Sequence, residues 1–309
     1  MDKISLVADL IDNLAMKVYD INKEEDNLIT YLEALTFALN LLSGKIERVD
    51  KIYKPLIKKI EEVEINSEEL RRALLLDEIK AMKDLNLSLD NITPDAIGVL
   101  IATIIKQKKG MTILEIGTGI GNLWHNLVNS LDIEPYIIGL EQNGMLCNYN
   151  EAYANLIETH MEVHMEDALS FNYPNVDVII GDLENYEYEN EYYHSALYDQ
   201  GVRNFSYLVI EKHLESGYND ALAYYVVNTD FFNNKDSLLF KEYFKKKAYF
   251  KALITLPKTF FKNETKMILV VEKLQDKQNI NTTVYNLPSI SEKEKFKNIL
   301  LDIKKNLGV

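Results

Sequence analysis

The sequence predicts an α/β protein with a Rossmann-like, mostly parallel sheet behind an all-helical N-terminal region. In the first part of the chain, apolar residues such as Ile11, Leu14 and Val18 recur at helical spacing with charges between them. Beyond it, short apolar runs alternate with helical segments, which is typical of a parallel sheet covered by helices on both faces. We therefore predict a helical domain over residues 1–90 and an α/β domain over residues 91–309.

The N-terminal region is predicted to contain about four helices. Breaks are expected near Asp20–Asn22, at Ser43-Gly44 and at Asn66-Ser67. Ser67, with Glu69 two residues later, favours a capped helix start. Because no Gly/Ser-rich or Pro-rich linker follows, we expect a packed accessory domain.

Seven strands are predicted in the second region: Met111–Ile116, Tyr136–Glu141, Glu162–His164, Val176–Gly181, Leu222–Asn228, Phe250–Leu256 and Lys266–Glu272. The last two are joined by a short turn around Lys262-Asn263-Glu264, which leaves no room for a crossover helix. These two strands should therefore pair antiparallel. A final amphipathic helix is predicted over Glu292–Leu307.

Charge argues against nucleic acid as the main partner. The formal net charge of -14 repels phosphates at long range. One stretch is locally basic, and its lysines are Lys241, Lys245, Lys246, Lys247, Lys251, Lys258, Lys262 and Lys266. This stretch either contacts nucleic acid or forms a solvated face.

The chain is predicted to be cytoplasmic and to have no membrane contact. Its apolar stretches fall short of the roughly 20 residues that cross a bilayer, and the N-terminus lacks the pattern of a secretory signal. The single cysteine, Cys147, cannot form an intrachain disulfide, which fits a reducing compartment.

A glycine-rich turn follows the first predicted strand. Glycines let a backbone turn sharply and approach a ligand closely, and the next helix offers free N–H groups to an anionic group. Dinucleotide sites favour G-x-G-x-x-G, whereas this turn reads E-x-G-x-G-x-G and continues with Asn122. That spacing favours S-adenosylmethionine (SAM) as the cofactor, the alternative being a tight structural turn. The candidate binding residues here are Glu115, Gly117, Thr118, Gly119 and Gly121.

Two later positions support a nucleoside-containing cofactor. Glu141 ends the second predicted strand, where a carboxylate can accept hydrogen bonds from both ribose hydroxyls. Asp167 follows the third strand and is the candidate acceptor for the adenine amino group. The neighbouring residues Gln142 and Ala168 complete the predicted cofactor site.

Four segments together carry a resemblance to a known family: Ile92–Ile97, Glu115–Gly121 with Glu141 and Asp167, Val176–Leu183, and Leu253–Phe261. They resemble the class I SAM-dependent methyltransferases, and more narrowly the N6-adenine DNA methyltransferase-like group that includes the YtxK proteins and type I restriction modification subunits. The matches span roughly residues 90–275. The resemblance implies the seven-stranded class I sheet, with its last strand antiparallel.

The resemblance also implies that Thr93 and Pro94 touch the methionine end of SAM. Read physically, the same residues form a helix start: Thr93 caps the helix, Pro94 occupies its first turn and Asp95 complements its dipole.

The candidate catalytic segment departs from the family pattern. N6-adenine methyltransferases carry a [D/N/S]-P-P-[Y/F/W] motif, but this chain reads D-L-E-N-Y-E-Y over Asp182–Tyr188, without either proline. Asp182 could still accept a hydrogen bond from an amine, and Tyr186 or Tyr188 could stack on a planar substrate. The tyrosines that follow Asp182 either form a stacking surface for a planar substrate or cover the sheet edge. The glutamates of the same segment, among them Glu184 and Glu187, would repel a DNA backbone.

Three functions follow as hypotheses. The first is a SAM-dependent methyltransferase that acts on an amine, with DNA implied by the resemblance and disfavoured by the charge. The second is a SAM-binding or interaction protein without transfer activity, which the missing prolines favour. The third is a methyltransferase that acts on protein or on a small cationic or neutral molecule, which an acidic mouth of the site would favour. The histidines lack metal-ligand spacing, so no metal site is predicted. The sequence leaves open whether the chain forms a homodimer.

Overall fold

The computed structural model describes residues 2–47, 49–216, 221–261, 265–274 and 281–309. Its α-helices in these ranges are α1 (Lys3–Glu24), α2 (Tyr31–Leu42), α3 (Lys54–Glu61), α4 (Ser67–Asp84), α5 (Asp95–Ile104), α6 (Asn122–Ser130), α7 (Gly144–Leu156), α8 (Phe205–Glu215), α9 (Ser237–Phe244) and α10 (Lys293–Leu307). Its strands are β1 (Thr112–Ile116), β2 (Tyr136–Glu141), β3 (Met161–Met165), β4 (Val178–Asp182), β5 (Leu222–Asn228), β6 (Ala248–Thr255), β7 (Lys266–Lys273) and β8 (Thr283–Asn286).

The strands form one mixed sheet in the order β3-β2-β1-β4-β5-β7-β6-β8. The first five strands pair in parallel, and β7 lies between β5 and β6 and is antiparallel to both. The predicted α/β fold and the antiparallel last pair are confirmed. The turn predicted at Lys262-Asn263-Glu264 lies outside the described residues.

The predicted number of seven strands is wrong for the described part of the chain, because β8 adds an eighth. This strand pairs in parallel with β6 at the sheet edge. It has only four residues, and only Tyr285 is buried. One buried side chain is too weak a signal for the alternating pattern by which strands are recognised.

Three of the predicted helix ends can be compared with the structure. The break at Ser43-Gly44 is confirmed, since Ser43 is the C-cap of α2. The break predicted near Asp20–Asn22 comes slightly too early, because α1 continues to Glu24 and the Asn22 side-chain amide donates to the carbonyl of Val18 within the helix. At α4 the N-cap is Asn66, one residue before the predicted start, and Glu69 completes its capping box.

The N-terminal helices share a hydrophobic core with the α/β region. Helices α1, α2 and α4 bury their apolar faces in one cluster that also contains Trp124 of α6 and Tyr149 and Tyr153 of α7. This cluster lies beside the helix that follows the glycine turn. The helical region therefore packs directly against the elements that carry the candidate site. No helix in the described ranges is long and apolar enough to cross a bilayer.

Candidate active site

The glycine turn after β1 adopts backbone conformations that suit glycine. Gly117, Gly119 and Gly121 have φ values of 71°, 54° and 96°. A Cβ at Gly117 or Gly119 would meet open space, so both positions leave room for a ligand. A Cβ at Gly121 would lie 2.5 Å from both His125 Nε2 and Asn150 Oδ1. Gly121 is thus required by the packing behind the turn.

Glu141 connects the end of β2 to this turn. Its Oε2 accepts a 2.8 Å hydrogen bond from the backbone N–H of Gly119, and its Oε1 accepts one of 2.9 Å from the N–H of Asn143. Each carboxylate oxygen can accept more than one hydrogen bond, so Glu141 keeps acceptor capacity toward the cavity.

Two buried polar atoms in the turn lack hydrogen-bond partners among the described residues. They are Oε2 of Glu115 and Oγ1 of Thr118. Glu115 is almost fully buried, and desolvation together with the nearby charges of Glu141 and Asp182 raises its pKa well above the ordinary value. Buried polar atoms are nearly always hydrogen-bonded, so a ligand that supplies partners here would be favoured.

A cavity of about 350 Å³ opens at the carboxyl ends of β1, β2 and β4. Such a volume falls within the range of small-molecule sites, and ligands in open α/β sheets bind at this edge. The predicted site residues that line it are Thr93, Glu115, Gly117, Thr118, Gly119, Gly121, Glu141, Gln142, Ala168, Asp182 and Tyr186.

Three predicted residues lie outside the lining of this cavity. Pro94 is the N-cap of α5. Asp167 and Tyr188 line an adjoining cleft with Gln142 and Tyr186, and the Tyr188 hydroxyl donates a 2.8 Å hydrogen bond to Asp167 Oδ2. The candidate adenine acceptor and the second candidate stacking residue therefore contact each other.

Both carboxylate oxygens of Asp182 are engaged. Lys266 Nζ lies 2.7 Å from Oδ1, and Thr93 Oγ1 donates a 2.9 Å hydrogen bond to Oδ2. The side chains of Lys266 and Asp182 are only 16% and 12% exposed. The predicted capping role of Thr93 is wrong, because α5 begins at Asp95 without a side-chain cap and the Thr93 hydroxyl turns to Asp182 instead.

Of the tyrosines after Asp182, some are buried in the core and one is exposed as a candidate stacking surface for a planar ligand. Tyr188 is buried, and Tyr193 and Tyr198 pack against the same core. Tyr186 is 40% exposed, lines the cavity and stacks on Phe205 with ring centroids 4.6 Å apart. One ring is thus available to a planar ligand.

Sequence reasoning missed several residues of the cavity wall. From the N-terminal region and the loop after it come Met82, Leu87, Asp90 and Asn91, and from the α/β region Glu166, Phe205 and Lys266. The sequence places Lys266 in the basic stretch and at the start of a predicted strand, and neither assignment indicates a site residue. In that stretch Lys247 and Lys251 also form ion pairs, and Lys262 lies outside the described residues.

Comparisons with known proteins agree with this geometry. No protein-family model matches the chain. A curated relative, the uncharacterized protein YtxK of Bacillus subtilis, is 28% identical over 278 residues, which cover 84% of this chain and 82% of YtxK. A crystal structure from Listeria monocytogenes, provisionally assigned as a class I SAM-dependent methyltransferase, superposes with a TM-score of 0.81 at 24% identity and covers 99% of both chains. This chain has the class I methyltransferase fold.

A second solved structure supports the narrower resemblance. The type I restriction-modification methyltransferase subunit of Streptococcus thermophilus superposes with a TM-score of 0.61 at 14% identity, covering 96% of this chain and 74% of that subunit. Both structures align over nearly the whole chain, so the N-terminal helices are part of the similarity. The predicted likeness to the YtxK proteins and to these subunits is confirmed at the level of the fold.

Proposed function

We propose that this class I methyltransferase fold binds SAM and transfers its methyl group to the amine of a small acceptor. The observation that carries the proposal is the cavity in which the glycine turn, Glu141, Asp182 and the Glu115 carboxyl, whose Oε2 has no partner among the described residues, meet. SAM carries the methyl group on a sulfonium. The lone pair of the amine forms the new N–C bond while the C–S bond breaks, and the electron pair of the broken bond stays on sulfur, which becomes a neutral thioether.

The chain's residues fit such a ligand. Gly117 and Gly119 leave space along the turn, and Glu141 has acceptor capacity for ribose hydroxyls. The carboxylates of Glu141, Glu166 and Glu184, which line the cavity, create a field that favours a cationic ligand such as a sulfonium or ammonium. The adenine end would then lie toward Gln142 and the adjoining cleft of Asp167.

The acceptor would approach Asp182 beside the exposed ring of Tyr186. Asp182 would accept a hydrogen bond from the amine and take the proton that the nitrogen loses, which then passes to water. The exposed carboxylates of Asp90, Glu166 and Glu184 line the same cavity and would repel a phosphate backbone. This charge supports a small acceptor over DNA.

Calorimetric titration of the purified chain with SAM and, in parallel, with NAD tests the cofactor. We expect saturable binding of SAM alone. A labelled-methyl assay with DNA, RNA, protein and metabolites as acceptors then tests transfer. Absence of SAM binding contradicts the proposal, as does binding of NAD at the same site.

A second function, SAM binding without transfer, is favoured by one observation. Both oxygens of Asp182 already have a partner, Lys266 and Thr93, and neither motif proline is present to shape its turn. Under this alternative the titration shows SAM binding while the labelled-methyl assay yields no product with any acceptor. The two measurements together separate the two functions.

A further inference from the structure

The ion pair between Lys266 and Asp182 occupies the place where an acceptor amine would bind. Lys266 Nζ contacts Oδ1 of Asp182 at 2.7 Å, and Thr93 holds Oδ2. Among the described residues that line the cavity, Lys266 is the one cation. An acceptor amine that takes the position of Lys266 at Oδ1 displaces this partner of Asp182.

Replacing this partner has an electrostatic consequence. Both side chains are mostly buried, and an ammonium or carboxylate that loses its partner in such a place is strongly disfavoured. An acceptor that offers only an amine would satisfy Asp182 and leave Lys266 without a partner at its present position. An acceptor that also carries an anionic oxygen would satisfy both groups at once.

We infer, resting on the proposed function, that the methyl acceptor is a small amine carrying one acidic group, a carboxylate or a phosphate, and that Lys266 is the residue that recognises this group. The acidic oxygen takes the place of Asp182 as the partner of Lys266. Oδ1 of Asp182 is then released to the amine, while Thr93 keeps the carboxylate in position.

The surrounding charges limit the acceptor to one acidic group. Asp90, Glu166 and Glu184 are exposed, so salt and water screen their repulsion of a single anion. Lys266 would contact the acidic group at hydrogen-bond distance. Because its side chain is mostly buried, this attraction is screened less than the repulsion from the exposed carboxylates. A polyanion would be repelled by several of these carboxylates at once and attracted by Lys266 alone among the described residues of the cavity lining.

The test compares matched acceptors that differ in the acidic group: anthranilate with aniline, glycine with methylamine, and adenosine 5′-monophosphate with adenosine. A small-molecule cell extract, with products identified by mass spectrometry, widens the search. Labelled methyl transfer is measured for the wild type, Lys266→Met, Lys266→Arg and the control Lys251→Met. Lys251 forms an ion pair of similar burial with Glu272 on the same sheet and does not line the cavity.

We expect the wild type to methylate the acidic member of at least one pair. Which pair reacts shows whether the acidic group is a carboxylate or a phosphate. Lys266→Met should raise KM for that acceptor by at least about tenfold and improve turnover of its neutral partner, because Asp182 is freed. Lys266→Arg should keep the preference, and Lys251→Met should behave as wild type. If Lys266 were only structural, its substitution would not reverse the preference for the acidic over the neutral acceptor of a pair.

The failures are distinguishable. Equal use of both members of a pair, a methylated product without an acidic oxygen, or an unchanged KM in Lys266→Met overturns this inference and leaves the proposed function standing. If the wild type binds SAM and methylates neither the paired compounds nor any component of the extract, the proposed function fails, and this inference fails with it.

Discussion

Arg71 of α4 donates a 2.8 Å hydrogen bond to Oδ2 of Asp95, the first residue of α5. The other oxygen of Asp95 accepts from the side-chain amide of Asn122, which also donates to the backbone carbonyl of Thr93. A chain of polar contacts thus runs from the N-terminal helices to the residue that holds Asp182. The helical region supports the site through specific hydrogen bonds as well as through the shared core.

Arg71→Ala should destabilise the chain markedly. The arginine is 3% exposed, and its loss leaves the Asp95 carboxylate without a charged partner. The two carboxylates that pair with Arg71, Asp95 and Glu68, are 42% and 54% exposed, so water replaces part of the lost interaction and the cost should be about 2 kcal/mol of the free energy of unfolding. Urea denaturation measures this loss, with Arg72→Ala as the control because Arg72 is the exposed neighbour on the same helix. Equal losses in the two variants would contradict the role assigned to Arg71.

Glu141→Ala should weaken SAM binding without unfolding the chain. The substitution removes the acceptor proposed for the ribose hydroxyls and the support for the Gly119 N–H. A hydrogen bond to a charged group contributes about 2 kcal/mol, so we expect the Kd for SAM to rise on the order of tenfold or more. Calorimetry measures it against Glu134→Ala, an exposed glutamate that precedes the same strand. Unchanged affinity would show that the cofactor lies elsewhere.

The glycine turn, Glu141 and Asp182 could be singled out from the sequence, whereas the pairing of Asp182 with Lys266 could not. Gly117, Gly119 and Glu141 are signalled locally, by glycine spacing and by position at a strand end. Lys266 and Asp182 are 84 residues apart and meet only because β7 enters the sheet between β5 and β6. Nothing local to Lys266 distinguishes it from the other lysines of its stretch, for which the sequence indicates only a nucleic-acid contact or a solvated face.

The same distinction explains the errors at the helix starts. Thr is a preferred N-cap residue, so Thr93 before Pro94 predicts a capped helix start. Such preferences consider the helix alone and ignore tertiary contacts. In the folded chain the Thr93 hydroxyl lies within reach of Asp182, and this tertiary hydrogen bond replaces the local one. At α4 the local pattern persists: Asn66 and Glu69 form the capping box, although Glu69 Oε2 also pairs with Lys3 of α1.

Asp182→Asn should abolish methyl transfer and leave SAM affinity nearly intact. The amide keeps the shape of the side chain and can still accept a hydrogen bond from the amine, but it cannot take up the proton. Loss of a general base typically slows a reaction by about 100-fold or more. Labelled-methyl transfer and calorimetry on the same preparation separate the two effects. Asp177→Asn, at the opposite end of β4, is the control. Wild-type transfer rates in Asp182→Asn would exclude Asp182 as the base.

A buried ionisable cluster lies behind the glycine turn. Glu78 of α4 is fully buried, accepts a 2.6 Å hydrogen bond from the Tyr149 hydroxyl and lies 3.5 Å from His125 Nδ1. Desolvation raises the pKa of Glu78 to about 8 and lowers that of His125 well below its ordinary value. Burial therefore favours the neutral forms of both groups. The Glu78–Tyr149 hydrogen bond couples the helical region to α7, and the His125 ring of α6 lies beside it without a hydrogen-bond partner among the described residues.

Glu78→Gln should flatten the dependence of stability on pH. The folded-state pKa of Glu78 lies above the unfolded value of 4.5, so its neutral form favours folding at low pH, and that stability is lost as pH rises from 4.5 to about 8. The loss approaches about 1.4 kcal/mol per pH unit within this window. Glutamine stays neutral and keeps an acceptor for Tyr149. Asp77, whose pKa is also raised to about 8, remains in both proteins and retains part of the slope.

Urea denaturation across this pH window measures the effect, with Glu61→Gln, an exposed glutamate of α3, as the control. We expect Glu78→Gln to exceed the wild type in stability near the alkaline end and to approach it at the acid end. A parallel pH dependence in the wild type and the variant would contradict a raised pKa at Glu78.

Gly121→Ala should damage the cofactor site more than the same change at a matched glycine. Gly121 and Gly201 share nearly the same φ, 96° and 97°, so alanine strains the backbone equally, by about 1 kcal/mol, at both positions. At Gly201 a Cβ meets nothing within 4 Å, whereas at Gly121 it would lie 2.5 Å from His125 and Asn150. His125 is stacked on Tyr153 and cannot retreat freely, so the turn itself must move. Gly121→Ala should therefore lose SAM affinity in calorimetry while Gly201→Ala retains it. Equal affinities would show that the packing behind the turn does not set its ligand-binding conformation.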